Sequence, residues 1–127
     1  MDDKKKFELE FVIQSSPQLL YPYLATPSGL SEWFADNVNS RGKTFTFMWN
    51  DSEEVAVRVA QKSDSFIRFK WLEDEDSETF FEFRIEVDDL TKDVSLLVTD
   101  FTEEDEVEES KMFWENQVAE LKHVIGG

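Results

Sequence analysis

The search for chemistry begins with His123, the only histidine in a chain that has no cysteine. Lack of cysteine excludes a thiol nucleophile, a disulfide and a thiolate metal site. His123 falls in the last turn of a predicted helix, where the dipole favours a surface imidazole. Zinc there would have to draw its other ligands from carboxylates, which suit it poorly. Ser15, Ser16, Ser28 and Ser31 sit near predicted helix starts, and without a Gly-x-Ser-x-Gly elbow capping accounts for them. Gly29, Gly42, Gly126 and Gly127 are too dispersed to cradle a phosphate. The acidic runs from Glu73 to Glu78 and from Glu103 to Glu109 contain no glycine where a calcium loop would turn, so they read as solvated loops. Acid–base work by paired carboxylates needs one buried and one wet, and among 29 acidic residues the sequence selects no pair. The expectation is no catalytic residue, no metal and no cofactor.

Aromatic residues are the informative excess, at 12 Phe, 4 Trp and 2 Tyr. Trp33, Trp49, Trp71 and Trp114 all lie on stripes that the periodicity turns inward, and each indole N–H needs a partner. Two readings stand side by side. One is a filled aromatic core. The other is an aromatic-lined pocket for an apolar ligand, with Trp33, Phe34, Phe47, Trp49, Phe69, Trp71, Phe83, Trp114 and Val118 as its lining. In that pocket Arg58, Arg68 or Arg84 would orient an anionic head group. The simpler assignment puts these three and Lys70 on outer strand positions, paired with Glu82 and Glu86.

The elements that would position these residues follow from hydropathy. Phe7, Leu9, Phe11 and Ile13 alternate with Glu8, Glu10 and Val12, the period of a strand with one wet face. Ser16-Pro17 and Thr26-Pro27 each pair a capping side chain with a proline at the first helical position, which predicts two short helices. From about Val38 the period returns to two, through Phe45-Phe47-Trp49, Val55-Val57-Val59, Ile67-Phe69-Trp71, Phe81-Phe83-Ile85-Val87 and Val94-Leu96-Val98. Short polar intervals between these runs predict hairpins, hence an antiparallel meander of five or six strands. Val107, Trp114, Val118, Leu121 and Ile125 then form one stripe of a helix over about Glu106–Ile125, ended by Gly126-Gly127. The order predicts an α+β domain in which a bent antiparallel sheet wraps the long C-terminal helix, with two short helices after the first strand.

Length and charge bound the rest. The chain has 127 residues, which suits one domain over 1–127. Its net charge of −16 disfavours nucleic acid and anionic membranes. Lys4-Lys5-Lys6 is the only basic cluster. No apolar run reaches the roughly 20 residues of a membrane span, and Glu8 and Glu10 interrupt what would follow a secretory leader. The expected setting is the cytoplasm.

Three stretches carry a family resemblance: Ser16–Leu24, Thr26–Phe34 with its proline, leucine and Trp-Phe pair, and Phe45-Thr46-Phe47-Met48-Trp49. With Trp114–Leu121 in the place of a last helix, the chain resembles the START-like or Bet v 1-like (SRPBCC) superfamily, nearest the branch related to the activator of heat-shock-protein-90 ATPase. The resemblance implies the helix-grip fold and a lipid-like or aromatic ligand between sheet and C-terminal helix. A protein-interaction or co-chaperone-like module is the second function it implies, and a small-molecule enzyme on the same fold the third. The expected partners are therefore a small hydrophobic ligand or another protein, with no nucleic acid and no membrane insertion.

Overall fold

A computed structural model describes residues 4–74 and 76–126. Met1–Asp3, Glu75 of the first acidic run and Gly127 of the terminal glycine pair lie outside the described residues. Strand β1 (Lys5–Ile13) leads into helices α1 (Pro17–Ala25) and α2 (Pro27–Leu30). Six strands follow: β2 (Asn37–Arg41), β3 (Thr44–Trp49), β4 (Ser52–Lys62), β5 (Phe66–Trp71), β6 (Phe81–Val87) and β7 (Val94–Thr102). Helix α3 (Val107–Ile125) closes the order. One antiparallel sheet of seven strands results, in the order β1-β7-β6-β5-β4-β3-β2. β1 pairs with the last strand, so the chain's first and last strands lie together beside α3.

The short helices form for the reasons their sequences suggest. Ser16 Oγ accepts the Leu19 N–H at 3.2 Å, and Thr26 Oγ1 accepts the Gly29 N–H at 3.0 Å. Each cap satisfies a donor that a helix start leaves open. Gly29 has a separate reason to be glycine: a methyl there would sit 2.1 Å from the Pro22 carbonyl oxygen. α1 and α2 cross too closely for any side chain. At the end of α3 Gly126 takes a left-handed φ of 89° and donates its N–H to the Lys122 and His123 carbonyls, which stops the helix.

The inner face of the sheet is an aromatic pavement. Phe45, Phe47, Phe69, Phe81 and Phe83 are buried with Ile67, Leu96 and Val98, and α3 lays Trp114, Val118 and Leu121 over them. Trp114 meets Phe83 edge-on at 5.7 Å and stacks on Phe34 at 5.4 Å. The outer face has its own order. Glu82, 5% exposed, bonds Arg68 at 2.8 Å and Arg84 at 3.1 Å, while those guanidinium groups lie over Phe80 and Phe66. This cross-strand network is what the alternation predicts for Arg68 and Arg84.

On β4 the expected facing is reversed. Trp49 pairs with Ser52 across a two-residue turn, so Phe47 faces Glu54 and Phe45 faces Ala56. Ala56 is therefore the buried inward residue, and Val55 and Val57 look outward. Arg58 pairs with Phe69, which puts it on the inner side and not the outer one. A bulge between Arg58 and Ala60 leaves Val59 as an extra, exposed residue and restores the outward facing beyond it.

Candidate functional site

The inner pavement does not reach the end of the molecule. Where the β3–β4 hairpin, the end of β5, the end of β7 and the first half of α3 converge, a cleft of about 310 Å³ opens to solvent. Phe34, Trp49, Trp71, Phe113 and Trp114 supply its apolar lining, and Ser52, Glu54 and Asp100 its polar lining. The opposite end of the sheet is closed by α1, whose Tyr21 hydroxyl donates to the Phe66 carbonyl at 3.3 Å.

The aromatic walls from β3, β5 and the segment after α2 are held from behind. Trp49 Nε1 donates to the Phe34 carbonyl at 3.0 Å, which ties the hairpin to the segment after α2. Gln117 Nε2 donates to the Trp33 and Phe34 carbonyls, both at 2.9 Å, and fixes that segment to α3. Trp71 packs on Phe81 at 4.8 Å and on Phe47 at 5.7 Å. The walls are thus pre-formed, as a binding site requires.

Asp100 continues the inward stripe Leu96, Val98 on β7, and it is where that stripe turns from apolar to ionisable. Its Oδ2 accepts the Trp114 indole N–H at 2.9 Å and its Oδ1 accepts the Phe101 backbone N–H at 2.7 Å. Burial pushes the carboxyl up to about 6, against the opposing pull of those two donors and of the Lys4 charge. Glu54 faces the same space from β4. Partial burial raises its pKa, and the neighbouring charges of Glu73 and Asp74 raise it further. Glu54 also lines a second depression of about 310 Å³ with Glu53, Trp71, Leu72 and Glu73, so the mouth of the cleft is acidic.

The expected lining residues divide by position. Phe34, Trp49, Trp71 and Trp114 line the cleft. Trp33 borders a neighbouring depression with Glu32, Asp36 and Glu120, its indole N–H donated to the Tyr23 carbonyl at 2.7 Å. Phe47, Phe69, Phe83 and Val118 are 0% exposed and form the packed floor behind the cleft. Arg68 and Arg84 are engaged by Glu82 on the outer face. Neither they nor Arg58 lines this cleft. Asp100, Glu54, Ser52 and Phe113 are the lining residues that the hydropathy stripes did not select. Among the described residues no cluster of His, Asp and Glu has metal-binding geometry, and no helix is long and apolar enough to cross a membrane.

A sheet gripping one long helix, with an open cleft at one end of the grip, is the architecture of START-like proteins. The chain belongs to this superfamily: the model of the START-like superfamily domain matches residues 1–127. Among solved structures it is similar to BfR322 from Bacteroides fragilis, at 39% identity and TM-score 0.69, covering 98% of this chain and 93% of that one. It is also similar in fold to the Aha1 dimer from Colwellia psychrerythraea, at 17% identity and TM-score 0.76, with 93% of each chain covered. DynU16, a protein of the dynemicin biosynthetic locus, matches at 14% identity and TM-score 0.75, over 99% of this chain and 48% of that one. No curated protein matches the sequence.

Proposed function

We propose that the chain is a single non-enzymatic START-like domain that binds a small apolar or amphipathic molecule at the sheet–helix junction. One observation carries the reading: a pre-formed cleft lined by Phe34, Trp49, Trp71, Phe113 and Trp114 remains open while the rest of the aromatic interior is packed. Apolar ligand sites have this composition, with a few fixed polar groups that orient the guest. START-like folds commonly bind ligands, which agrees with it. The volume of about 310 Å³ lies at the small end for such sites, so a ring with a short polar arm fits better than a sterol or a long acyl chain.

A ligand that binds the native state raises its melting temperature by mass action. Screening small aromatic compounds by thermal shift and two-dimensional NMR should find a class that moves the Trp49, Trp71 and Trp114 indole signals. Ser52→Trp, a change at an exposed position on the wall, should fill the cleft and abolish the response while the fold survives. If no compound class moves those signals, the binding reading fails and a protein-interaction module takes its place.

A further inference from the structure

The cleft's charge says more about its guest than its shape does. Its polar lining includes two carboxylates, Glu54 from β4 and Asp100 from β7, and no basic residue. Its apolar lining presents indole and phenyl faces, which carry negative potential at their centres. Both kinds of wall attract a positive head group and repel a negative one. From this juxtaposition we infer that the ligand is a cation: a small aryl- or alkyl-ammonium compound whose charged nitrogen sits between Glu54 and Asp100, against Trp49 and Trp71. The inference rests on the ligand-binding reading above and names the class of that ligand.

Several features support it independently. Asp100 uses one acceptor site on each oxygen for the Trp114 and Phe101 N–H groups, and an ionised carboxylate has about four. Capacity therefore remains for an ammonium N–H, a charge-assisted bond of the stronger kind. Trp114 links the two walls, since the indole whose N–H holds Asp100 also lines the cleft. A cation over an aromatic face gains most where water is excluded, and the combination of rings and carboxylates is how quaternary and primary ammonium groups are held. Burial favours the neutral form of Asp100, and an incoming cation would offset that effect. Lys4, which lies close enough to act on Asp100, bonds Asp74 at 3.3 Å and is not part of the cleft lining. Beyond the cleft, Glu53 and Glu73 border the adjoining depression, and the whole chain carries −16. The same field that discourages phosphates would concentrate amines at the mouth.

The test compares three probes of one shape at pH 7.5: 3-phenylpropylamine, 3-phenylpropan-1-ol and 3-phenylpropionate. Titrations followed by the indole Nε1–H signals should give the amine an affinity at least tenfold above that of the alcohol, with the acid weaker than both. Glu54→Gln should remove most of that preference, read as a fall in the ratio of amine to alcohol affinity. If the alcohol binds as well as the amine, or the acid binds better, the charge inference is overturned while the ligand-binding reading stands. If none of the three moves the indole signals, the aromatic-ammonium inference fails together with an aromatic ligand for this cleft.

Discussion

Asp100 shows how much a single inward position can carry. A carboxyl held at about 6, against 3.8 in an unperturbed chain, is about 3 kcal/mol harder to ionise in the folded state than in the unfolded one. The sign follows from proton counting. Below pH 4 both states hold the proton and Asp100 makes little difference. Between pH 4 and pH 6 the native state keeps a proton that the unfolded chain has lost, so stability falls as pH rises, and above about pH 6 the penalty is complete. Asp100→Asn removes the ionisation but leaves one of two N–H donors without an acceptor, a loss of about 1–3 kcal/mol at every pH. Urea titrations of both proteins should therefore show the variant less stable at pH 4. The difference should move in the variant's favour by about 2–2.5 kcal/mol on going to pH 7. A pH-independent difference would mean that Asp100 stays an ordinary ionised carboxylate. Asp100 was within reach of the sequence, because it is the next alternate position after Leu96 and Val98. Reading the stripe as apolar ended it too soon. Glu54 was hidden by a different fault: the valine alternation was read as the inward set of β4, whereas pairing with Trp49, Phe47 and Phe45 turns Ser52, Glu54 and Ala56 inward.

At the scale of elements, the helices follow from the sequence because each end carries its own signal. Ser16-Pro17, Thr26-Pro27 and Gly126 mark boundaries that the structure places within a residue or two. What local pattern does not contain is contact between elements. Gly29 falls in the predicted second helix with nothing to mark it until α1 is seen 2.1 Å from its missing Cβ. Gly29→Ala should push α1 and α2 apart and destabilise the fold by about 1–3 kcal/mol, since the opposing atoms are backbone and cannot rotate away. Thermal melts of this variant beside Gly42→Ala, whose Cβ meets nothing within 4 Å, would separate collision from backbone strain. An effect no greater at Gly29 than at Gly42 would rule out the close crossing. α3 offers a second test. Trp114 is 2% exposed, stacks on Phe34 and bonds Asp100, so Trp114→Ala should destabilise by about 3–5 kcal/mol. Glu109→Ala, on the exposed side of the same helix, is the control, and equal losses would mean the helix is rotated. The inward stripes of β3, β5 and β6 were legible because their buried positions carry large apolar residues, Phe45 and Phe47, Ile67 and Phe69, Phe81 and Phe83. β4 turns Glu54, Ala56 and Arg58 inward, so its outward valines misled.

For the molecule as a whole, the charge of −16 opposes folding, because compaction brings like charges together. Exposed carboxylates repel through water, and salt cuts that repulsion as the screening length falls from about 10 Å at 0.1 M to about 3 Å at 1 M. Raising sodium chloride from 0.05 to 0.5 M should therefore stabilise the domain by about 1 kcal/mol, about 4 °C in Tm for a chain of this size. The Arg68–Glu82–Arg84 network works the other way, since screening weakens attraction too, but Glu82 is buried between its partners and loses less. Asp100 separates the local effect from the global one. Its penalty comes first from lost hydration and not from distant charges, so the pH-dependent difference between wild type and Asp100→Asn should survive 0.5 M salt nearly intact. Ammonium binding should divide in the same way. Salt should slow association by screening the acidic surface, while dissociation, governed by the rings and the two cleft carboxylates, changes much less. Stopped-flow tryptophan fluorescence with 3-phenylpropylamine at the two salt concentrations reads both rates. Loss of affinity that appears mainly as faster dissociation would place the cation on the outer acidic surface instead of between Glu54 and Asp100.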